Sequence, residues 1–255
     1  MPDSSTGSGN VETGSGNGAG GPEVVAWDEA APLKPRGTVV VLTGRGEDPS
    51  LYERLGRRLS ADAWRVRVTD GHDDDTVRGQ VELLLGDADV VRPVVLLGSD
   101  TGAARAVRLS LLLDVQGVVV SGLLPVDGGT ASFTDFDDEL AARTSCPAHR
   151  ARLAADTSFV RNALAVSLSA ADVEAPLSRT GVPVLALHGS ADALAPVDDA
   201  VARYREAPDV EVFTVADGVH DVFNDITHRV AAAETVLFLE RTKAGRTLLT
   251  PVGPA

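Results

Sequence analysis

Two hydrophobic rhythms alternate along the chain from Val24 onward. Val24 to Trp27 is a short apolar run, and Thr38-Val-Val-Val-Leu42 is a β-branched run of the kind buried on both faces of a parallel sheet, so it predicts a central strand. Leu51, Leu55 and Leu59 then recur at helical spacing, whereas Trp64, Val66 and Val68 alternate at strand spacing. The unit repeats: Asp74 and Asp75 can cap a helix carrying Val77, Val81, Leu84 and Leu85, and Val94 to Leu97 reads as the next strand. A helix over Ala103 to Leu113 and a strand over Val118 to Val120 follow. The rhythm breaks between about residues 131 and 178, where helix-like pieces (Phe136 to Arg143, His149 to Ala155, Val160 to Ser167) occur without a core strand between them. That stretch reads as an insertion or lid. The alternation returns with Val184 to Leu187 as a strand, Val197 to Glu206 as a helix, Val210 to Val215 as a strand and Ile226 to Arg241 as a closing helix. Strands alternating with helices imply an α/β architecture, a mostly parallel sheet with helices on both faces. In such sheets ligands bind at the carboxyl ends of the strands.

Composition narrows the picture. Residues 1–22 repeat Thr-Gly-Ser-Gly-Asn and contain almost nothing apolar, so they are expected to form a disordered tail, without the basic start and hydrophobic stretch of a secretory signal. One domain over 23–245 is expected, with the insertion at about 131–178 and a C-terminal tail at 246–255. The formal charge of −14 leaves no basic face for nucleic acid. The longest apolar runs stop far short of the ~20 residues that span a bilayer, so no membrane partner is expected. The single cysteine, Cys146, can neither close an intrachain disulfide nor build a thiolate zinc site, and its Cys-x-x-His spacing with His149 has no further ligands nearby. A reducing, cytoplasmic setting fits this usage. No metal and no cofactor are called for, and the expected partner is a small-molecule substrate.

Three strand ends carry chemistry. The strand at Val94 to Leu97 runs into Gly98-Ser-Asp-Thr-Gly102 and then directly into an Ala-rich helix, the form of a Gly-x-nucleophile-x-Gly elbow in which small residues let a strained turn lift one side chain above the sheet. Here that side chain is Asp100. The strand at Val184 to Leu187 ends in His188-Gly-Ser-Ala-Asp192, and the strand at Val210 to Val215 leads to His220. Nucleophile, acid and histidine thus follow in the order Asp100, Asp192, His220. Leu42-Thr-Gly-Arg-Gly46, after the first central strand, stands where a loop would donate an oxyanion N–H.

With these motifs the chain resembles the α/β-hydrolase superfamily over about Val24 to Arg241. The resemblance implies a three-layer α/β-hydrolase fold with a small helical insertion, Asp192 orienting His220, and an oxyanion hole made by the backbone N–H groups of Arg45 and Thr101. Gly44 and Gly46 keep the loop's pattern, while Thr43 stands where many members have histidine. Most members carry serine at the elbow; aspartate there resembles the haloalkane dehalogenase and epoxide hydrolase branch. A carboxylic acid of this kind, with an ordinary pKa of ~3.9, is ionised at neutral pH, so Asp100 can attack an electrophilic carbon to form a covalent ester, which water activated by His220 would hydrolyse. The branch's helpers are not found: the tyrosines, Tyr52 and Tyr204, fall outside the insertion, and Thr101 stands where dehalogenases place a halide-holding tryptophan.

Other readings stand beside this one. Asp100 can simply cap the following helix. Ser99 can be the nucleophile if the elbow shifts by one residue, giving a serine-type esterase or thioesterase, although that frame lacks both flanking glycines. Ser121 reads as a loop residue near the pocket. Arg143, Arg150, Arg152 and Arg161 either line a solvated helix face or bind an anionic part of a substrate. Gly44-x-Gly46-x-x-Pro49 with Asp70 partly copies a dinucleotide-binding fingerprint, which would make the chain an oxidoreductase. A non-catalytic ligand-binding protein on the same fold is the remaining rival.

Overall fold

A computed structural model describes residues 24–71, 73–126 and 131–250. The tail expected at 1–22 and the end of the C-terminal tail, 251–255, lie outside the described residues. Seven strands form one sheet: β1 (Val25–Trp27), β2 (Gly37–Leu42), β3 (Trp64–Thr69), β4 (Val94–Ser99), β5 (Gly117–Ser121), β6 (Val184–Gly189) and β7 (Val210–Val215). Their spatial order is β1-β3-β2-β4-β5-β6-β7, with β1 antiparallel to β3 and every other pair parallel. Every residue of β2, β4, β5 and β6 is buried, as the unbroken apolar runs require.

The pleat divides these strands between two cores. Val39, Val41, Val95 and Leu97 face α1 (Glu53–Ala61) and α8 (His228–Ala244), packing on Leu55, Leu59, Phe238 and Leu239. Val40, Leu42, Val94 and Leu96 face the opposite way, onto Val77 and Val81 of α2 (Asp74–Gly86), Ala103 to Val107 of α3 (Thr101–Ser110) and Ala200 and Tyr204 of α7 (Val197–Tyr204). Three layers result, with helices on both faces of the sheet. Several boundaries differ from the sequence reading. The N-cap of α2 is Asp73, whose carboxylate accepts the Thr76 N–H, rather than Asp74 or Asp75. Helix α3 stops at Ser110, and α8 begins at His228.

Between β5 and β6 the chain carries α4 (Phe136–Arg143), α5 (Pro147–Ala155) and the short α6 (Ala170–Val173), which has a Ser169/Asp172 capping box. Residues 160–167, expected as a helix, hold only a 3-10 turn at Ala163–Ala165. The reason is local. Asn162 takes a left-handed φ of 61°, and the Glu139 carboxylate accepts the N–H groups of Asn162 and Leu164, so these amides serve a side chain instead of a helix ladder. Leu140, Leu153 and Phe159 form a small core of their own that closes on Leu51 beside the sheet. Among the described residues, no helix is long and apolar enough to cross a membrane.

Candidate active site

Asp100 sits on the sharp turn between β4 and α3, with φ 56° and ψ −127°. A non-glycine residue in this conformation is strained, and the surroundings hold it there. Its N–H donates to Ser121 O at 3.0 Å and its carbonyl accepts the Ala103 N–H at 3.1 Å. The flanking glycines are required by contact: a Cβ on Gly98 would lie 2.1 Å from Gly102 O, and one on Gly102 would lie 2.2 Å from Leu42 O. The Asp100 side chain makes no capping bond to α3, so helix capping does not account for it.

The structure brings Asp100, His220 and Asp192 together. His220 Nδ1 lies 2.8 Å from Asp192 Oδ2, and Nε2 lies 3.3 Å from Asp100 Oδ1. The other Asp192 oxygen accepts the N–H groups of Leu194 and Ala195, which fixes the carboxylate at the end of β6. Burial disfavours the imidazolium, but the charge of Asp192 and the hydrogen bonds to both carboxylates outweigh it and push the His220 pKa up to about 10. Burial likewise opposes ionisation of Asp100, yet the charge of Arg45 and the hydrogen bonds from His220 and Arg45 hold that carboxyl far below the usual range. Asp192 is also lowered: burial raises it, and the charge of His220 more than offsets this.

Arg45 departs from the oxyanion-hole expectation. Its backbone N–H donates to Asp100 Oδ2 at 2.9 Å, and its guanidinium grips the same carboxylate through Nε to Oδ2 and Nη2 to Oδ1, both at 2.8 Å. In this state the amide serves the carboxylate, and both Asp100 oxygens are occupied. The Gly44 N–H donates to Glu47 Oε2 at 2.9 Å. Two loop amides therefore meet carboxylates, an arrangement that repels a pyrophosphate and leaves the dinucleotide reading without its anion cradle. Thr101 is the first residue of α3 and faces a cavity of about 210 Å³. Ser99 is the last residue of β4, 1% exposed, paired in register with Ser121, which ends β5 and is fully buried rather than in a loop.

The cavity lies between the elbow and the insertion. Arg45, Thr101 and Arg105 line it on the sheet side, and Val160, Val166 and Leu168 on the other. Neither tyrosine reaches it: Tyr52 donates to Glu47 and Tyr204 bonds the buried His188. The tryptophans are elsewhere too, Trp27 against Gly56 and Trp64 against Gly37. Of the insertion's arginines, Arg143 is buried, Arg150 and Arg152 are half-buried and Arg161 is exposed, and each is engaged by the protein itself. Arg143 donates to Arg45 O and Glu139, Arg150 to Thr144 O, and Arg152 to Glu53 and Ser50 O, while Arg161 stacks on Phe136. Cys146 lies 3.4 Å from Arg54 Nη1. Among the described residues, no group of three or more His, Cys, Asp or Glu is placed to hold a metal.

Sequence reasoning missed two supporting residues, Gly122 and Glu47, and the role of a third, Arg143. Gly122, at φ 57°, leaves room for His220, since a Cβ there would lie 2.9 Å from His220 Cε1; a glycine just past a strand end was the available signal. Glu47 and Arg143 hold the backbone of the Gly44-Arg45 turn, and only the fold brings Arg143 to it.

No family model matches the chain, and no curated protein matches it. Solved structures do. A soluble variant of monoglyceride lipase from Saccharomyces cerevisiae superposes with a TM-score of 0.68 at 16% identity, over 86% of this chain and 91% of the lipase. The chain has the α/β-hydrolase fold. Monoacylglycerol lipase from Paleococcus ferrophilus (TM-score 0.65, 18% identity, 87% of this chain and 98% of that one) shares this α/β-hydrolase architecture. So does a thermophilic esterase from Thermogutta terrifontis (TM-score 0.63, 15% identity, 88% and 96%). None of these similarities singles out the haloalkane dehalogenase branch.

Proposed function

We propose that the chain is a cofactor-independent hydrolase acting on a small organic molecule in the cavity beside Asp100. The observation that carries this reading is the imidazole of His220, held between Asp192 at 2.8 Å and the elbow residue Asp100 at 3.3 Å on an α/β-hydrolase fold. In the first step an Asp100 oxygen bonds to an electrophilic carbon of the substrate, and the leaving group departs with the electron pair. Esterification removes the charge of Asp100, one of the causes that raise the His220 pKa, so the imidazolium gives its proton to the departing group or to solvent and the ring stands neutral, able to accept a proton, at the stage when a base is needed. Water then gives one proton to Nε2 and attacks the carbonyl carbon of the Asp100 ester; the acyl C–O bond breaks, the product alcohol leaves with water's second proton, and the carboxylate and imidazolium are restored. A single turnover in H₂¹⁸O tests this: one heavy oxygen appears in the peptide containing Asp100, and its absence in a turning-over enzyme contradicts the step.

A second reading is a serine-type esterase using Ser99. The solved structures named above are lipases and an esterase, and they support ester hydrolysis of this kind better than the dehalogenase-like reading. Against it stands the place of Ser99, inside β4 and one residue before the turn. Replacement of Ser99 by Ala separates the two readings.

A further inference from the structure

Arg45 stands between the cavity and Asp100. Its side chain lines the cavity, while its fork covers a carboxylate that is itself only 3% exposed and does not line it. The third nitrogen, Nη1, donates to Leu164 O of the insertion. Val160, Ala163, Val166 and Leu168 give the rest of the wall an apolar stretch, and its other charged residues are already partnered: Arg105 donates to Asp74, and the Asp172 carboxylate accepts the Ser169 N–H and hydroxyl of the α6 cap. One planar fork suits one carboxylate in bidentate geometry. Asp100 can surrender it, because His220 remains beside it.

We infer that the ligand of this cavity is a small amphipathic carboxylate, whose anionic head takes the Arg45 fork from Asp100 while its apolar part lies along Val160, Val166 and Leu168. The exchange frees an Asp100 oxygen at the moment the cavity fills, so Arg45 acts as a specificity-determining residue and as the cover of the elbow carboxylate in the empty site. The inference rests on the reading of this cavity as the substrate pocket of a hydrolase. It explains why an arginine, whose fork quenches a nucleophile, occupies this loop position.

Titration calorimetry at pH 7 with hexanoate and its neutral counterpart hexanamide, on the full chain, tests it without turnover. Hexanoate is expected to bind at least about tenfold more tightly than hexanamide, and Arg45→Gln is expected to abolish that preference. In Asp100→Asn the competitor for the fork is gone, so hexanoate should tighten by about tenfold or more while hexanamide does not. A purely structural role for Arg45 would not produce that selective gain. Equal binding of the two probes, or no hexanoate binding to a folded Asp100→Asn variant, overturns the inference. Hexanoate selectivity with no turnover on any substrate would sink the hydrolase reading and leave this one standing; turnover of neutral esters without carboxylate preference would do the reverse.

Discussion

Arg45 and Asp100 are joined by four hydrogen bonds from a single residue, three from the guanidinium at 2.8–3.1 Å and one from the backbone N–H at 2.9 Å. Both side chains are nearly buried, so the pair sits where an uncompensated charge is costly. Arg45→Gln is expected to destabilise the protein by about 1–3 kcal/mol, and the double variant Arg45→Gln/Asp100→Asn by less than the sum of the two single changes. Chemical denaturation of the four proteins checks this; strict additivity would show that the pair is not energetically coupled.

The elbow glycines offer a second test. Gly98→Ala and Gly102→Ala each push a methyl into backbone at 2.1–2.2 Å, which cannot yield as a side chain would. Each should cost more than about 3 kcal/mol or prevent folding. Gly79→Ala, in α2 with nothing within 4 Å of the new methyl, should instead stabilise by about 0.5–1 kcal/mol. Thermal melts of the three variants read both signs together.

The insertion is fastened to the Gly44-Arg45 loop after β2 through Arg143, which donates to Arg45 O and Glu139 and stacks over Phe159 at 4.8 Å. Arg143→Met keeps much of the volume but strips Glu139, itself fully buried, of its cationic partner. A loss of about 3 kcal/mol is expected, and proteolysis within residues 131–178 should accelerate. Unchanged cleavage there would show that the tie does not anchor the insertion.

Asp221 predicts a pH effect. Burial first, then the charge of Glu47, pushes its pKa up to about 7 from the ordinary aspartate value of 3.8. The folded state therefore holds this proton more tightly than the unfolded chain, and stability from this group is lost as pH rises from about 4 to 7. Asp221→Asn removes the titration, so the variant should gain on wild type across that interval, by on the order of 1–3 kcal/mol. Parallel stability–pH curves for the two proteins would contradict this.

Much of the fold was legible because it is written in periodicity. The short apolar runs at Val39 to Leu42 and Val94 to Leu97 read as buried strands, which they are, and the spacing of Leu55 and Leu59 marks a helix face. The ends of elements were less legible: the reading placed the α2 cap at Asp74 or Asp75, and in a run of three aspartates nothing in the sequence singles out Asp73, which caps the helix. Val160 to Ser167 misled because its apolar spacing is helical, while the deciding influence, the carboxylate of Glu139, arrives from more than twenty residues away. At the site, the elbow glycines and the order of Asp100, Asp192 and His220 were visible in the chain. The grip of Arg45 on Asp100 was not, because nothing in a Gly-x-Gly loop says whether its side chain faces solvent or turns back over the strand end.

The most direct test of the proposed chemistry is turnover on a panel of activated esters, epoxides and haloalkanes, run with wild type, Asp100→Asn, Ser99→Ala and His220→Gln. We expect wild type to turn over at least one substrate, Asp100→Asn and His220→Gln to lose about 100-fold or more, and Ser99→Ala to stay within a few-fold of wild type. Abolition by Ser99→Ala with Asp100→Asn still active would contradict a reaction centred on Asp100.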